Sequence, residues 1–330
     1  MMDPIKLSIV GTSQIAKKFV IACRDVPEII PYGVYSRTFE SGSAFAEEMT
    51  IPYVFTEYEE MLKNTSIDAL YIASPNAYHF KQAQLALQYG KHVICEKAIT
   101  SNLKELELLI EQAKEKNLLI VEAMKSLGMP TYKQVKMNLD KIGKVRKAVF
   151  NYCQYSSKYP AYLAGENPNI FNPKFSAGAL MDIGIYCIYP CIDLFGMPKA
   201  IKSQATLLDN GIDGGGSILL EYGNKEVSIL YSKINNSSLG SEIMGEEGTL
   251  FIDAISSPLS VELRKKGQLP LTLSAPLEHD SMYYEIREFA DTLIKGKTES
   301  AVYSYKLTKN IMSILDQIRR DIGLIFPADL

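Results

Sequence analysis

The first third of the chain alternates strand patterns with helix patterns, and this alternation limits the fold more than any other feature of the sequence. The apolar run Ile5–Val10 leads directly into a glycine turn and a helical pattern over Gln14–Cys23. Strands and helices then alternate up to a last strand at Leu118–Val121. Strands that alternate with helices of this length form βαβ units, which build a parallel sheet covered on both faces. We therefore predict a doubly wound α/β Rossmann domain over residues 1–123.

From residue 124 the pattern changes to long strands with alternating polar and apolar residues, such as Val145–Tyr155 and Glu226–Ile234. Glycine-containing segments separate them, and we interpret Gly214–Gly216 as a hairpin turn. Long strands joined by tight turns predict an α+β domain over residues 124–330 with a large, mostly antiparallel sheet. Helices at Ala177–Phe195 and Met282–Lys295 would cover one face, and a last helix over residues 303–320 is expected to pack back on the first domain.

Composition excludes several classes of partner. The net charge is −3 and no basic stretch is long enough to follow a phosphate backbone, so a nucleic-acid partner is not expected. The chain begins without a charged leader and apolar core, and no apolar run reaches the ~20 residues that span a bilayer. The five cysteines are odd in number and scattered, which indicates reduced thiols in the cytoplasm. With three histidines far apart in sequence, no metal site is expected.

The turn after the first strand is a candidate phosphate-binding loop. It reads Gly11-Thr12-Ser13-Gln14-Ile15 and opens a helix. Such a turn brings backbone N–H groups and a helix N-terminus against a pyrophosphate. Ser13 replaces a glycine of the usual motif, and its side chain can point away or donate to a phosphate oxygen. The alternative is a plain strand-to-helix turn with no ligand.

The end of the second strand indicates which dinucleotide is bound. An acidic residue there favours NAD(H), but the chain has Ser36, Arg37 and Thr38. A guanidinium and two hydroxyls suit a 2′-phosphate, because arginine forms charge-assisted bonds to phosphate oxygens. The sequence therefore favours NADP(H) over NAD(H). The alternative is that Arg37 is a solvated surface charge.

Three segments make the chain recognisable as a member of a family. They are Ser74–His79 (SPNAYH), Cys95–Ala98 (CEKA) and Ser176–Tyr186 (SAGALMDIGIY). Together with the N-terminal loop they resemble the Gfo/Idh/MocA oxidoreductases, in order and spacing over the whole chain. The Asp-Ile-Gly-Ile-Tyr form is typical of the branch that holds dihydrodiol dehydrogenase and glucose–fructose oxidoreductase.

The resemblance implies the roles of the site residues. Lys97 would lie beside the nicotinamide and contact the reacting oxygen, while Asp182 and Tyr186 come from the second domain. Hydride transfer at carbon needs a proton movement at oxygen, and residues four apart share one helix face, so Asp182 and Tyr186 suit one site. His79 would either frame the cofactor or cap the helix after Pro75. The expected cofactor contacts in this part of the chain are Ser74, Pro75, Asn76, His79, Glu96, Lys97 and Met124.

Three positions depart from the family pattern. Ala98 stands where the family usually has proline, which is expected to loosen the backbone after Lys97. Close relatives tend to carry Trp and Arg where this chain has Lys125 and Leu127. Those positions lie near the nicotinamide or the substrate in the family, so the substrate stays open.

Our principal hypothesis is a dehydrogenase or reductase that transfers a hydride between NADP(H) and a hydroxyl or carbonyl carbon of a sugar, polyol or related small molecule. Lys97 would polarise the substrate oxygen and Tyr186 would act as acid and base. Asp182 would hold a second substrate hydroxyl or position Tyr186. A second hypothesis is a dinucleotide-binding regulator without chemistry. A third is reduction of an imine or tetrapyrrole, which would not need Asp182. One sheet face without covering helices predicts a homodimer or homotetramer.

Overall fold

The computed structural model describes residues 3–274 and 276–330, which group into two compact units. Unit 1 contains the residues up to Met124 together with His279–Thr308. Unit 2 contains Lys125–Glu278 and Lys309–Leu330.

Unit 1 is built on a six-stranded sheet in which every strand pair is parallel. Its strands are β1 Ile5–Val10, β2 Ile29–Tyr35, β3 Tyr53–Phe55, β4 Ala69–Ile72, β5 His92–Glu96 and β6 Ile120–Ala123. Their order across the sheet is β3-β2-β1-β4-β5-β6, which confirms the predicted doubly wound fold. The order reverses at β1, and doubly wound sheets bind ligands at the carboxyl edge beside such a reversal.

The helices of this first segment are α1 Gln14–Cys23, α2 Phe39–Met49, α3 Tyr58–Lys63, α4 His79–Gln88 and α5 Leu103–Glu115. Strand β2 contains Pro31, its third residue. Proline cannot donate to a ladder, and the register between β1 and β2 shifts beside it, between Leu7 and Ser8. The irregularity accommodates the proline inside the strand.

Unit 2 is built on an eight-stranded sheet. Its strands are β7 Val145–Cys153, β8 Ala200–Leu207, β9 Asp213–Glu221, β10 Glu226–Ser232, β11 Ser241–Gly245, β12 Thr249–Ile252, β13 Val261–Arg264 and β14 Leu271–Thr272. The order is β14-β13-β12-β11-β7-β10-β9-β8. Only the β7–β10 pair is parallel among the pairs described, so the predicted mostly antiparallel sheet is confirmed.

The prediction that Gly214–Gly216 forms a hairpin turn is wrong, because all three glycines lie inside β9. A Cβ at Gly216 would stand 2.5 Å from the carbonyl oxygen of Gln204 and 2.5 Å from the hydroxyl of Tyr231. Close approach of neighbouring strands requires glycine there.

The helices of unit 2 up to the strand β8 are α6 Lys125–Gly128, α7 Pro130–Met137, α8 Tyr159–Leu163 and α9 Ile185–Phe195. A π turn at Leu180–Gly184 leads into α9. The predicted helix Ala177–Phe195 is wrong at its start. Ser176 (φ 53°) and Gly178 (φ 104°) have left-handed backbone conformations, which an α-helix does not use.

The stretch Pro173–Phe195 is long and apolar enough to cross a membrane by length and composition, with a mean hydropathy of 1.4. Its most apolar window is 83% buried inside the protein. Core helices of soluble proteins pass the same test, and the burial favours that explanation.

Two helices close the chain, α10 Tyr283–Ile294 and α11 Tyr305–Ile322. Helix α10 packs against α1, and Arg287 Nη1 donates to Glu28 Oε2 at 2.6 Å. This packing groups residues 279–308 with unit 1, whereas the sequence division had assigned every residue after 123 to the second domain. From Lys309 onward the chain belongs to unit 2, where Arg319 pairs with Asp316 and Asp329. The packing of the last helix on the first domain stays a prediction.

Candidate active site

The candidate cofactor residues of unit 1 follow the carboxyl ends of five strands. Because these strands are parallel, the residues lie along one edge of the sheet. They are Gly11 to Ile15 after β1, Ser36 to Thr38 after β2, Ser74 to Asn76 beyond β4, Glu96 and Lys97 at the end of β5, and Met124 after β6.

The turn after β1 has the geometry of a phosphate loop. Gly11 has φ 107°, and a Cβ there would stand 3.0 Å from the carbonyl oxygen of Ala73. The Ser13 side chain accepts from the backbone N–H of Ala16 at 3.4 Å and so caps helix α1. The Ser13 hydroxyl is thus an acceptor for the first turn of the helix, and its own O–H stays available to donate. The open N-terminus of α1 suits an anion such as a pyrophosphate.

The end of β2 carries a small group of hydroxyls beside a cation. Ser36 Oγ lies 2.6 Å from Ser41 Oγ, which lies 2.7 Å from Thr38 Oγ1. Thr38 caps helix α2 by accepting from the N–H of Ser41. Arg37 is exposed between them. Hydroxyls, a helix N-terminus and a guanidinium form a donor set that fits a phosphate group.

The backbone after Lys97 is held from both sides. The carbonyl oxygen of Ala98 lies 2.9 Å from His79 Nδ1, and the N–H of Ile99 donates to Glu122 Oε1 at 3.0 Å. The Lys97–Ala98 peptide bond is cis. Although Ala98 replaces the proline of the family, two neighbouring side chains fix this segment.

His79 is fully buried and joins two loops. Its Nε2 lies 2.8 Å from the carbonyl oxygen of Ser74, in addition to the Ala98 contact. Burial lowers the pKa of His79, and the charge of Lys97 lowers it further. The hydrogen bonds to the two carbonyls raise the pKa and offset only part of this decrease. A neutral ring carries one N–H and so donates to one of the two carbonyls. His79 thus connects the ends of β4 and β5 and does not cap α4 through its side chain.

Asp182 and Tyr186 belong to unit 2. Asp182 lies in the π turn, and Tyr186 lies in the first turn of α9. Tyr186 is 9% exposed, and its ring meets that of Tyr152 edge to face with centroids 5.8 Å apart. The Asp182 carboxylate forms an ion pair with the ammonium of Lys233. π turns inside helices are rare and are frequent at functional sites.

Sequence reasoning missed Lys233, Asp213 and Glu122. Alternate residues of a strand point to the same face, and Val227, Ile229 and Tyr231 are all buried. Lys233 is the next residue in this alternation, so the sequence pattern predicts that its side chain points toward the core. Asp213 precedes the glycine cluster at the start of β9 and is fully buried.

Within residues 3–274 and 276–330, no group of three or more His, Cys, Asp or Glu side chains is placed to hold a metal ion. The five cysteines are free thiols, and burial raises the pKa of Cys95, Cys187 and Cys191 well above the ordinary value.

Known proteins resemble this chain over nearly its whole length. It is 39% identical to scyllo-inositol 2-dehydrogenase (NADP(+)) of Bacillus subtilis over 325 residues, covering 98% of this chain and 99% of the relative. It is 29% identical to trans-1,2-dihydrobenzene-1,2-diol dehydrogenase of Xenopus laevis, covering 98% and 99%. The crystal structure of a 3-ketoreductase from Actinomadura kijaniata with NADP and TDP-benzene superposes with a TM-score of 0.86 at 23% identity, covering 97% and 98%. This last likeness shows the fold.

Two family models match the chain. Residues 5–123 match the oxidoreductase family with an NAD-binding Rossmann fold, and residues 133–251 match the GFO/IDH/MocA C-terminal domain. The predicted resemblance is therefore confirmed. The chain belongs to the GFO/IDH/MocA family of oxidoreductases.

Proposed function

We propose that the chain interconverts a secondary alcohol and a ketone on a cyclic polyol or sugar, with NADP(H) as the hydride partner. In the oxidative direction the alcohol and NADP+ give the ketone, NADPH and a proton. The observation that carries the proposal is the placement of Lys97. Lys97 follows β5 on the edge that bears the Gly11 turn, and His79 and Glu122 fix the backbone of the next two residues.

NADP(H) fits the residues after β1 and β2. When bound, the nicotinamide accepts or supplies the hydride. The helix N-terminus behind Gly11 would hold the pyrophosphate, and Ser36, Arg37 and Thr38 would hold the 2′-phosphate. The NADP named for the Bacillus relative and bound in the Actinomadura structure supports this choice.

Each proposed catalytic side chain has a separate task. The Lys97 ammonium donates to the reacting oxygen and stabilises negative charge on it. The Tyr186 side chain takes the proton from that oxygen as a phenolate during oxidation and returns it as a phenol during reduction. Asp182 accepts from a second substrate hydroxyl or keeps Tyr186 in place.

The names of the relatives support a proposal for the substrate class. Scyllo-inositol and the trans-dihydrodiol are both rings that carry neighbouring hydroxyl groups. A vicinal diol offers one oxygen to react and a second to bind Asp182. We therefore expect a cyclic vicinal polyol, with Lys125 and Leu127 among the residues that distinguish this chain's substrate from those of other relatives.

The test is NADP+ reduction with a panel of cyclic polyols that begins with scyllo-inositol. Lys97→Met and Tyr186→Phe should each lower kcat at least about 100-fold while leaving NADPH affinity near wild type. Tyr222→Phe is the control, because it removes a buried hydroxyl that donates to Gly196 O at 3.1 Å. Wild-type turnover in Tyr186→Phe would remove that tyrosine from the mechanism. Cofactor binding without turnover across the panel would favour the regulator hypothesis.

Cofactor choice is tested by fluorescence titration with NADPH and NADH. We expect tighter binding of NADPH, and Arg37→Ala should weaken NADPH at least about tenfold with little effect on NADH. Arg24→Ala, which removes an exposed guanidinium at the other end of α1, is the control. Equal affinities for both nucleotides in the wild type would remove the NADP preference.

We also propose a homodimer or homotetramer formed through the unit 2 sheet. Leu219, Val149 and Phe251 alternate with Ser228 and Glu242 on one cross-strand row, and Leu219 is 40% exposed. Sedimentation should show a dimer or tetramer that Leu219→Lys weakens. Leu259→Lys, at an exposed position outside the strands, should not weaken it. A wild-type monomer at micromolar concentration would contradict this proposal.

We place the protein in the cytoplasm. Five free thiols, of which Cys23, Cys95, Cys187 and Cys191 are buried, suit a reducing compartment. Cell fractionation should recover the protein with the soluble cytoplasmic fraction, and recovery with secreted proteins would contradict the assignment.

A further inference from the structure

The turn that carries Asp182 is held from strands β9 and β10 by two ionisable side chains to which the proposed reaction gives no role. Lys233 directly follows β10 and forms an ion pair with Asp182. Asp213 begins β9, and its Oδ2 accepts from the backbone N–H of Leu180 at 2.6 Å. One contact reaches the Asp182 side chain and the other reaches the backbone of its turn.

Lys233 is the more enclosed partner of the ion pair. Its side chain is 9% exposed, whereas that of Asp182 is 28% exposed. A buried ammonium is costly unless a carboxylate compensates it, and Asp182 supplies that carboxylate. The backbone N–H of Lys233 donates to the carbonyl oxygen of Gly214 at 2.8 Å, which anchors the lysine to β9. The position of Lys233 in the sheet therefore determines the side from which its ammonium contacts Asp182.

Asp213 fixes the first residue of the same π turn. It is fully buried, and its Oδ1 lies 2.0 Å from the position that a Cβ on Gly178 would take. Gly178 and Asp213 therefore fit closely together just before the turn. Leu180, which donates to Asp213, begins the π turn that runs to Gly184.

We propose that Lys233 is a positioning residue of the active site, which orients the Asp182 carboxylate while Asp213 holds the turn that carries it. The proposal rests on the proposed role of Asp182 in binding or orienting the substrate. An oriented, charge-compensated carboxylate accepts a hydroxyl in one geometry and spends no free energy on ordering during the reaction. Lys233 thus acts through Asp182 and not on the reacting oxygen.

The first test needs no substrate. Hydrogen exchange of the amides over residues 180–186 is compared between wild type, Lys233→Met and Lys147→Met. Lys147 pairs with Glu226 across β7 and β10 at 2.5 Å, so it is a matched lysine–carboxylate pair on the surface of the same unit. We expect Lys233→Met to speed exchange in the turn at least about tenfold and Lys147→Met to leave it unchanged. Unchanged exchange in Lys233→Met would overturn the proposal.

The second test is a double-mutant cycle on turnover of the polyol identified in the substrate panel. Lys233→Met and Asp182→Asn should each lower kcat at least about tenfold with the KM for NADP+ unchanged, and the double variant should be no more than about twofold below Asp182→Asn. Lys233→Arg keeps the cation and should recover most of kcat, which also covers the case in which Lys233→Met fails to fold. Effects that multiply would show that Lys233 acts independently of Asp182 and would overturn the proposal.

The two tests separate failure of this proposal from failure of the proposed function. Wild-type kcat in Asp182→Asn would overturn the role of Asp182 and with it this proposal, because Lys233 would then have nothing to position, whereas the measured turnover would itself support the proposed reaction. If the wild type turned over no polyol of the panel, the proposed reaction would be contradicted. Faster exchange in Lys233→Met would in that case still support the role of Lys233 in holding the turn.

Discussion

Gly178 and Asp213 constrain each other at the scale of single residues. A Cβ at position 178 would overlap the Asp213 carboxylate, and φ is 104° there. Gly178→Ala therefore adds both steric overlap and backbone strain, and should lower stability by about 3 kcal/mol. The measurement is the urea midpoint of the purified protein.

Gly165→Ala is the matched control for that substitution. Its φ is 84°, and no atom lies within 4 Å of the added Cβ, so only the backbone strain remains. We expect a loss of about 1 kcal/mol. Equal midpoints for the two variants would contradict the close approach of residue 178 and Asp213.

The Asp213 carboxyl makes stability depend on pH. Burial raises its pKa from 3.8 to about 7. The N–H groups of Leu180 and Ala179 and the charge of Lys233 lower the pKa and so partly oppose this rise. Tyr231 also faces the carboxyl. Because the folded pKa is raised, the native state holds the proton more tightly than the unfolded chain. The resulting stability is present at acidic pH and is lost as pH rises toward about 7.

Asp213→Asn should remove this dependence, since the amide oxygen still accepts from Leu180. Between pH 5 and 7 the difference in stability between wild type and variant should change by up to about 1.4 kcal/mol per pH unit, with the wild type losing stability as pH rises. Thermal midpoints of both proteins at each pH measure it. The titration of His79, whose lowered pKa acts in the opposite direction, cancels in the difference. Parallel curves would contradict the assignment.

At the scale of elements, His79 connects the loops after β4 and β5, while His92 lies at the other end of β5. His92 Nδ1 accepts from the N–H of Leu119 at 3.0 Å. His79→Ala and His92→Ala should each cost about 2 kcal/mol of stability, because each removes a hydrogen bond and leaves a cavity. Only His79→Ala should also lower kcat, since it alone frees the backbone after Lys97.

Activity assays at equal concentrations of folded protein measure this difference. The comparison separates loss of fold from loss of geometry at the carboxyl edge of the sheet. A similar kcat in both variants would show that the segment after Lys97 does not depend on His79.

What could be predicted from the sequence depends on how local the determining contacts are. The phosphate turn lies within a few consecutive residues, so the sequence was sufficient to propose it, although the capping role of Ser13 was not predicted. Lys233 and Asp213 act on the π turn 51 and 33 residues away along the chain. Whether these two side chains reach the π turn depends on how β9 and β10 pair in the sheet, and this pairing cannot be predicted from the sequence near either residue. The glycines of β9 were misassigned for the same reason, because strand packing requires them and no turn does.

At the scale of the whole molecule, all the residues proposed to bind cofactor belong to unit 1, between Gly11 and Met124. A ligand that binds only the native state stabilises it by an amount set by its concentration and affinity. NADPH at 100 times its dissociation constant should therefore stabilise the protein by about 2.7 kcal/mol.

The thermal midpoint of the wild type should accordingly rise with NADPH concentration and rise less with NADH at the same concentration. In Arg37→Ala the NADPH curve should fall to the level of the NADH curve, because the variant loses the interaction that only the 2′-phosphate makes. In Lys97→Met the NADPH curve should stay close to the wild type even though turnover is lost, since in this proposal the phosphate-binding residues after β1 and β2 supply most of the affinity and Lys97 supplies one contact beside the nicotinamide. If Lys97→Met abolished the shift and Arg37→Ala did not, the ammonium after β5 would be the main binding group, and the assignment of Ser36, Arg37 and Thr38 to the cofactor would be wrong.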